Sequence, residues 1–148
     1  MDVELFATSD RVRMKQAFVI RRAVFVAEQG IAEAEEIDEH DREESAAIHA
    51  LARPFDGATA VGTARFYPCE DGAIQIGRMA VLPEARGCGV GQRLLEALLK
   101  EADKRSFAWA RLNAQIPAIE FYRRAGFGET GEQFWEAGLL HQPMVRRI

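Results

Sequence analysis

Residues 78–100, RMAVLPEARGCGVGQRLLEALLK, constrain the fold more than any other part of the chain. An apolar run stops at Pro83, the chain passes Arg86 and glycines at 87, 89 and 91, and a helical pattern begins. From about 89 to 104, Val90, Leu94, Leu95, Leu98, Leu99 and Ala102 fall on one stripe, with Gln92, Arg93, Glu96, Lys100 and Asp103 opposite. Such a helix must bury its stripe, and the strand pattern before it predicts burial against a sheet. The glycines carry no Cβ, so the main chain between strand and helix can come close to a ligand. Unpaired N–H groups of the first helical turn, with the positive end of the helix dipole, suit a phosphate or pyrophosphate there. Arg86 adds a charge-assisted contact.

Elimination narrows the phosphate ligand. A Walker A loop needs Lys-Ser/Thr after its last glycine, whereas Gly91 is followed by Gln92 and Arg93. A dinucleotide fingerprint needs a third glycine where Gln92 stands, and the loop lies mid-chain rather than after the first strand of a βαβ unit. A glycine-rich turn without a ligand is the plain alternative, although three glycines and an arginine are a costly way to enter a helix.

Elsewhere, 3–6 reads as a short strand, and Thr8, Ser9 or Asp10 as N-cap of a helix to about 27. Strands over 46–52, 58–67 and 73–81, with turns at Asp56-Gly57 and Asp71-Gly72, predict an antiparallel meander. A strand over 108–115 follows the long helix, and Pro117 opens a short helix that Gly126 ends. Two strands, near 129–136 and 142–148, flank Ala137-Gly138. Interleaved helices and hairpins predict an α/β (α+β) class with a mixed sheet.

With 148 residues, no internal repeat and no Ser/Gly linker, the chain reads as one domain over 1–148. A net charge of −4 and a pI near 5.5 argue against nucleic acid as a partner, since its binders usually carry a basic face or a pI above about 9. Cys69 and Cys88 have neither metal-ligand spacing nor the density of a disulfide scaffold, and with His40, His49 and His141 they assemble no zinc cluster. No metal is expected, and reduced thiols in a cytoplasm are. The first residues, MDVELFATSD, carry acids where a signal peptide needs bases, and no window approaches about 18 uninterrupted apolar residues, so no membrane partner is expected. The segment 31–45 is dense in acids, a composition that is ordinarily a solvated loop or helix face.

The loop RGCGVG resembles the Arg/Gln-x-x-Gly-x-Gly/Ala signature of the GNAT family of N-acetyltransferases, and the preceding MAVLPE is similar to that family's cofactor strand. LNAQIPAIEFYRRAGF is similar to the family's next strand and the helix after it, with Phe-Tyr inside and Gly-Phe at its close. RRAVFVAEQG, EIDEHD and GEQFWEAGLLHQPM resemble the small bacterial ElaA-like branch; together the matches span roughly residues 20–145. The family usually has Asn about where Gln115 stands. The resemblance implies a mixed, mostly antiparallel seven-stranded sheet flanked by helices, its fourth and fifth strands splayed to hold acetyl-coenzyme A as co-substrate. It implies the main chain of Met79, Ala80 and Val81 along the thioester and pantetheine. Around the pyrophosphate it implies Arg86, Gly87, Cys88, Gly89, Val90, Gly91 and Gln92, and Tyr122 matches the usual general acid. The implied activity is acetyl transfer to a primary amine of a small molecule or peptide, directly in a ternary complex. A non-catalytic acyl-coenzyme A binding or sensing module, and an acyltransferase using a longer acyl group, are the alternatives.

An alkyl amine with a pKa of about 10.4 is only about one part in a thousand neutral at pH 7, so a base or a dry entry path must help. Glu28 follows an apolar run broken only by Arg21 and Arg22, where a partly buried ion pair is equally natural. Asp38 and Asp41 would form an acidic rim attracting a cationic amine, and His141 would either contact the acceptor or pack as a strand histidine. None of these stands out as the base. A main-chain N–H, that of Met79, would polarise the thioester carbonyl, and the Tyr122 phenol would protonate the leaving thiolate. A core aromatic among Ile119, Phe121 and Phe127 is the plainer reading of Tyr122. Cys88 lies about a pantetheine arm from the thioester, which favours direct transfer over an acetyl-cysteine. An exposed C-terminal strand would allow a homodimer about a two-fold axis.

Overall fold

In the computed structural model, which describes all 148 residues, strand β1 (Asp2–Ala7) turns through Thr8 and Ser9 into helix α1 (Arg11–Arg21). Asp10 is the N-cap, its carboxylate accepting from the Arg13 N–H at 3.1 Å. The helix continues to the expected end, but its last stretch, Arg22–Glu28, is π-helical, with the Gln29 N–H bonded to the Val24 carbonyl at 3.1 Å. A four-residue α2 (Glu33–Glu36) and a 3-10 turn at Glu39–Asp41 lead to the sheet.

Strands β2 (Ile48–Arg53), β3 (Gly62–Pro68) and β4 (Ala73–Val81) extend β1 as the expected antiparallel meander. Helix α3 (Val90–Lys104) then crosses to β5 (Trp109–Gln115), which runs parallel to β4. After α4 (Ile119–Arg124) come β6 (Gly128–Glu129), β7 (Phe134–Glu136) and β8 (Leu139–Arg147). The spatial order is β1-β2-β3-β4-β5-β8-β6, with β7 also on β8. The strand expected near 129–136 is broken into β6 and β7, which share one edge of β8, so eight strands fill seven positions. Strand β8 starts at 139 rather than 142 because Ala137 and Gly138 both take positive φ and close a tight hairpin. One correction concerns assembly: β8 pairs with β5 on one edge and with β6 and β7 on the other, so it is not the free edge on which a two-fold pairing was expected. No helix is long and apolar enough to cross a membrane.

Alternation along the strands loads both faces of the sheet. Ile48, Ala50 and Ala52 of β2 pack with Leu94, Leu95 and Leu98 of α3, while Leu51 joins Met14, Ala17 and Ile20 beneath α1. The α3 stripe is the one its spacing predicts, with Val90, Leu94, Leu95, Leu98 and Ala102 buried.

The acid-rich segment departs from expectation. Glu36 and Asp41 are each 2% exposed, and they hold Arg21, itself 1% exposed, beneath α1. Arg21 donates from Nε to Glu36 at 2.6 Å and from Nη1 and Nη2 to Asp41 at 2.6 and 2.8 Å. Arg65 donates to Asp41 at 2.8 Å and to Asp38 at 2.6 Å. The buried ion pair suspected near Arg21 exists, but its acids come from this segment rather than from Glu28. Burial alone would raise the Asp41 pKa, yet the bonds and charges of Arg21 and Arg65 hold it well below the usual carboxylate range. Its contribution is therefore present above the unfolded value of about 3.9 and disappears as pH falls through the folded one.

His49, 1% exposed, stacks on Phe6 and has Nε2 2.9 Å from Thr8 Oγ1. Burial, then the Arg65 charge, pushes its pKa down to about 4. The unfolded chain takes up this proton first, so stability is intact above about pH 6.5 and falls progressively toward pH 4, by about 3 kcal/mol in all. Urea melts at pH 7, 6 and 5 will show a falling midpoint that flattens in His49→Gln. Asp41→Asn, which leaves Arg21 and Arg65 short of a partner, will cost about 3–5 kcal/mol at pH 7 in the same melts.

Candidate active site

Strands β4 and β5 pair only where Ala73–Ile76 face Trp109–Leu112, and then they part. The parting opens a cavity of about 360 Å³ lined by Gly77, Arg78 and Met79 from β4 and by Leu112, Asn113 and Gln115 from β5. A bulge sets the β4 side. Arg65 of β3 pairs with Gly77 and Thr63 with Ala80, so Ala64 stands against both Arg78 and Met79. Arg78 takes φ +52°, a left-handed conformation costing an arginine roughly 1–2 kcal/mol. The extra residue reverses which way the strand faces: Ile74 and Ile76 pack toward α3, but beyond the bulge Met79 and Val81 do so while Ala80 lies beneath α1. Arg78 ties the bulge to α2, donating to the Glu36 carbonyl at 2.9 Å and to the Glu35 carbonyl and Asp38 at 3.3 Å.

The glycine loop leads from β4 into α3. Gly87 and Gly89 have φ of +80° and +79°, and Gly89 is the N-cap of α3 with no side chain over the helix end. The first intrahelical bond runs from the Arg93 N–H to the Gly89 carbonyl, which leaves the N–H groups of Val90, Gly91 and Gln92 without a helical partner. Gly91 serves packing as well: a Cβ there would lie 3.2 Å from the Phe121 ring of α4. The Val90 side chain is buried in the core, Cys88 is exposed, and Gln92 bonds Glu96 at 3.0 Å. Arg86 donates to the Val81 carbonyl at 2.9 Å and grips Glu28 with two bonds of 2.8 and 2.7 Å.

The candidate acceptor residues separate. Glu28 belongs to the glycine loop through Arg86 and is not on the cavity wall. Asp41 is enclosed by Arg21 and Arg65, so the rim position expected of it is corrected to a structural one. Asp38 and His141 do line the cavity, although Asp38 is held by Arg65 and Arg78. His141 Nδ1 is 2.8 Å from the Leu139 carbonyl, which can only accept, so in the neutral ring that nitrogen carries the hydrogen and Nε2 the lone pair. Tyr122, on α4, lines the cavity and sits edge-on to Phe121 and Phe127. Burial, opposed by no charge or hydrogen bond, raises its pKa above the ordinary phenol range.

Gln29, Glu36 and Arg78 of the cavity escaped sequence reasoning. Gln29 and Gln115 exchange two amide hydrogen bonds, both 3.0 Å, linking the end of the π-helical stretch to the parted end of β5. Glu36 and Arg78 were hidden too, though an arginine inside an apolar run, as at Arg21, already signals that some acid must be buried with it. Gly62 is a further hidden determinant. A Cβ there would lie 2.7 Å from Val90 and 3.0 Å from Leu94, so its absence lets the first turn of α3 sit directly on β3. Gly62→Ala will destabilise the fold by about 1–3 kcal/mol in urea melts; an unchanged midpoint would mean that α3 is seated loosely.

Comparison with known proteins places these features in company. The Acetyltransferase (GNAT) domain family matches residues 23–148. YjcF of Bacillus subtilis, named an N-acetyltransferase, is 35% identical over 135 residues, covering 90% of this chain and 92% of the relative. The crystal structure of Escherichia coli ElaA superposes with a TM-score of 0.84 at 27% identity, over 98% of each chain. An aminoglycoside 6'-N-acetyltransferase complexed with coenzyme A shares the fold, with a TM-score of 0.77 at 16% identity over 99% of this chain and 97% of that one.

Proposed function

The chain belongs to the GNAT acetyltransferase family, and we propose that it moves an acetyl group from acetyl-coenzyme A to a primary amine of a small molecule or peptide, directly, with both substrates bound together. The observation that carries this reading is the parting of β4 from β5 beside the glycine loop, with Tyr122 on the cavity wall. Coenzyme A in a neighbour of the same fold supports the choice of co-substrate, which supplies the activated acyl group.

On this reading the amides from Gly87 to Gln92, with the α3 dipole behind them, hold the diphosphate. Arg86 joins them by exchanging Glu28 for phosphate oxygens. The main chain of Met79, Ala80 and Val81 runs along the pantetheine, and the Met79 N–H, re-aimed by the bulge, polarises the thioester carbonyl. Losing one such donor costs about 3 kcal/mol of transition-state stabilisation. Tyr122 protonates the leaving thiolate. Burial keeps the phenol neutral, and the same dry surroundings raise the proton affinity of the thiolate, so the transfer is not made uphill by burial alone. His141, with its Nε2 lone pair, takes the proton from the acceptor nitrogen. Glu28 and Asp41 are left out of that role by their arginine partners. Neither Cys69 nor Cys88 lines the cavity, which supports direct transfer.

Calorimetry and thiol release with a panel of amines test this. Coenzyme A will bind wild type and Tyr122→Phe alike, while Tyr122→Phe loses about a hundredfold or more in kcat. Gly89→Val, forced into a conformation that valine resists, will weaken binding at least about tenfold. Absence of any heat with coenzyme A ends the proposal; binding without thiol release for every amine reduces the protein to an acyl-coenzyme A binding module.

A further inference from the structure

Of the glycines in this chain, all but two have a conformational or packing reason. Eight take positive φ, and a Cβ would crowd Val90 at Gly62 and Phe121 at Gly91. Gly77 and Gly128 remain: neither has a left-handed φ, and a Cβ on either would meet nothing within 4 Å. Gly128 is exposed in the short edge strand β6, where a side chain would simply enter solvent. Gly77 is half-buried in the interior of β4 and lines the cavity. A glycine there gives up backbone entropy and side-chain packing. Bulges often recruit glycine for a left-handed position, but in β4 that conformation falls on the next residue, Arg78. What is left for a glycine inside a strand is to let another molecule come close to the main chain.

Its place in the fold says which molecule. Ile76 and Leu112 are the last partners of β4 and β5, so Gly77 is the first residue past the fork. Ile74 and Ile76 pack toward α3, as do Leu112 and Ala114 of β5, so Gly77 shares the other face of the sheet with Gln75, Asn113 and Gln115. Val90 in the first turn of α3 and Tyr122 belong to the core on the α3 side, across the sheet from the space over Gly77. That space is therefore turned away from the elements assigned to coenzyme A and toward the wall that holds Phe25 and Ile31. Building on the amine-transfer reading above, we infer that Gly77 is a specificity-determining residue: its missing side chain leaves the floor on which the carbon skeleton beside the reacting amine lies, and so sets how bulky an acceptor can reach the thioester.

The test measures thiol release from saturating acetyl-coenzyme A with butylamine, cyclohexylamine and benzylamine, on wild type, Gly77→Ala and Gly77→Val. Coenzyme A affinity is taken from calorimetry and stability from urea melts. For the two ring amines, Gly77→Ala will lower kcat/KM about tenfold and Gly77→Val about a hundredfold, chiefly through KM, while butylamine loses severalfold less. Coenzyme A affinity will stay within about twofold of wild type. Melting midpoints will hold or rise, because the strand gains a side chain that meets no neighbour. If Gly77→Val does not fold, Gly77→Ala carries the comparison. A lowered midpoint with unchanged kinetics, equal losses for slim and bulky amines, rejection of both ring amines by wild type, or a loss confined to coenzyme A affinity overturns the inference while leaving amine acetylation standing. So does equal kcat/KM in every folded variant. No thiol from any amine with wild type overturns both.

Discussion

One residue too many in β4 organises the site. Between Thr63 and Arg65 lie two steps of chain, and between their partners Ala80 and Gly77 lie three. The surplus reverses the facing of everything after Ile76, turns Met79 toward the cavity and coincides with the point where β5 leaves. A left-handed arginine is an expensive way to arrange this, and Arg78 recovers the cost through bonds to the α2 carbonyls and Asp38. The strain and its compensation thus both lie in the wall of one cavity.

Those bonds make the acid-rich segment part of the site rather than a neighbour of it. Arg21, Arg65 and Arg78 face Glu36, Asp38 and Asp41, a balanced set in which charge is buried but neutralised. Such sets add little to stability over a well-packed apolar core, yet removing a single member strands its partner. The short α2 and the 3-10 turn have few apolar contacts of their own, so their position depends on that balance.

Elements with a sustained period were legible in the sequence. Strand β4 falls on the residues expected, and the α3 stripe matches because its apolar positions recur at the helical spacing over fifteen residues. The family was legible from the glycine loop and the Phe-Tyr helix. The bulge left a trace that went unread: apolar residues step by two from Ile74 to Ile76, by three to Met79, and by two again to Val81. Strands β6 and β7 are too short to carry a period. The acid-rich segment misled because charge density says nothing about which few carboxylates meet a buried guanidinium. Glu36 and Asp41 could be placed only once the fold brought Arg21 and Arg65 to them.

The reciprocal amide pair of Gln29 and Gln115 joins two parts of the chain that no strand pairing connects. Each amide must both give and receive, so a glutamate at either position would set oxygen against oxygen unless it held a proton. The two positions are therefore chemically tied to one another despite the 86 residues between them, and a change at one is tolerated only with a matching change at the other.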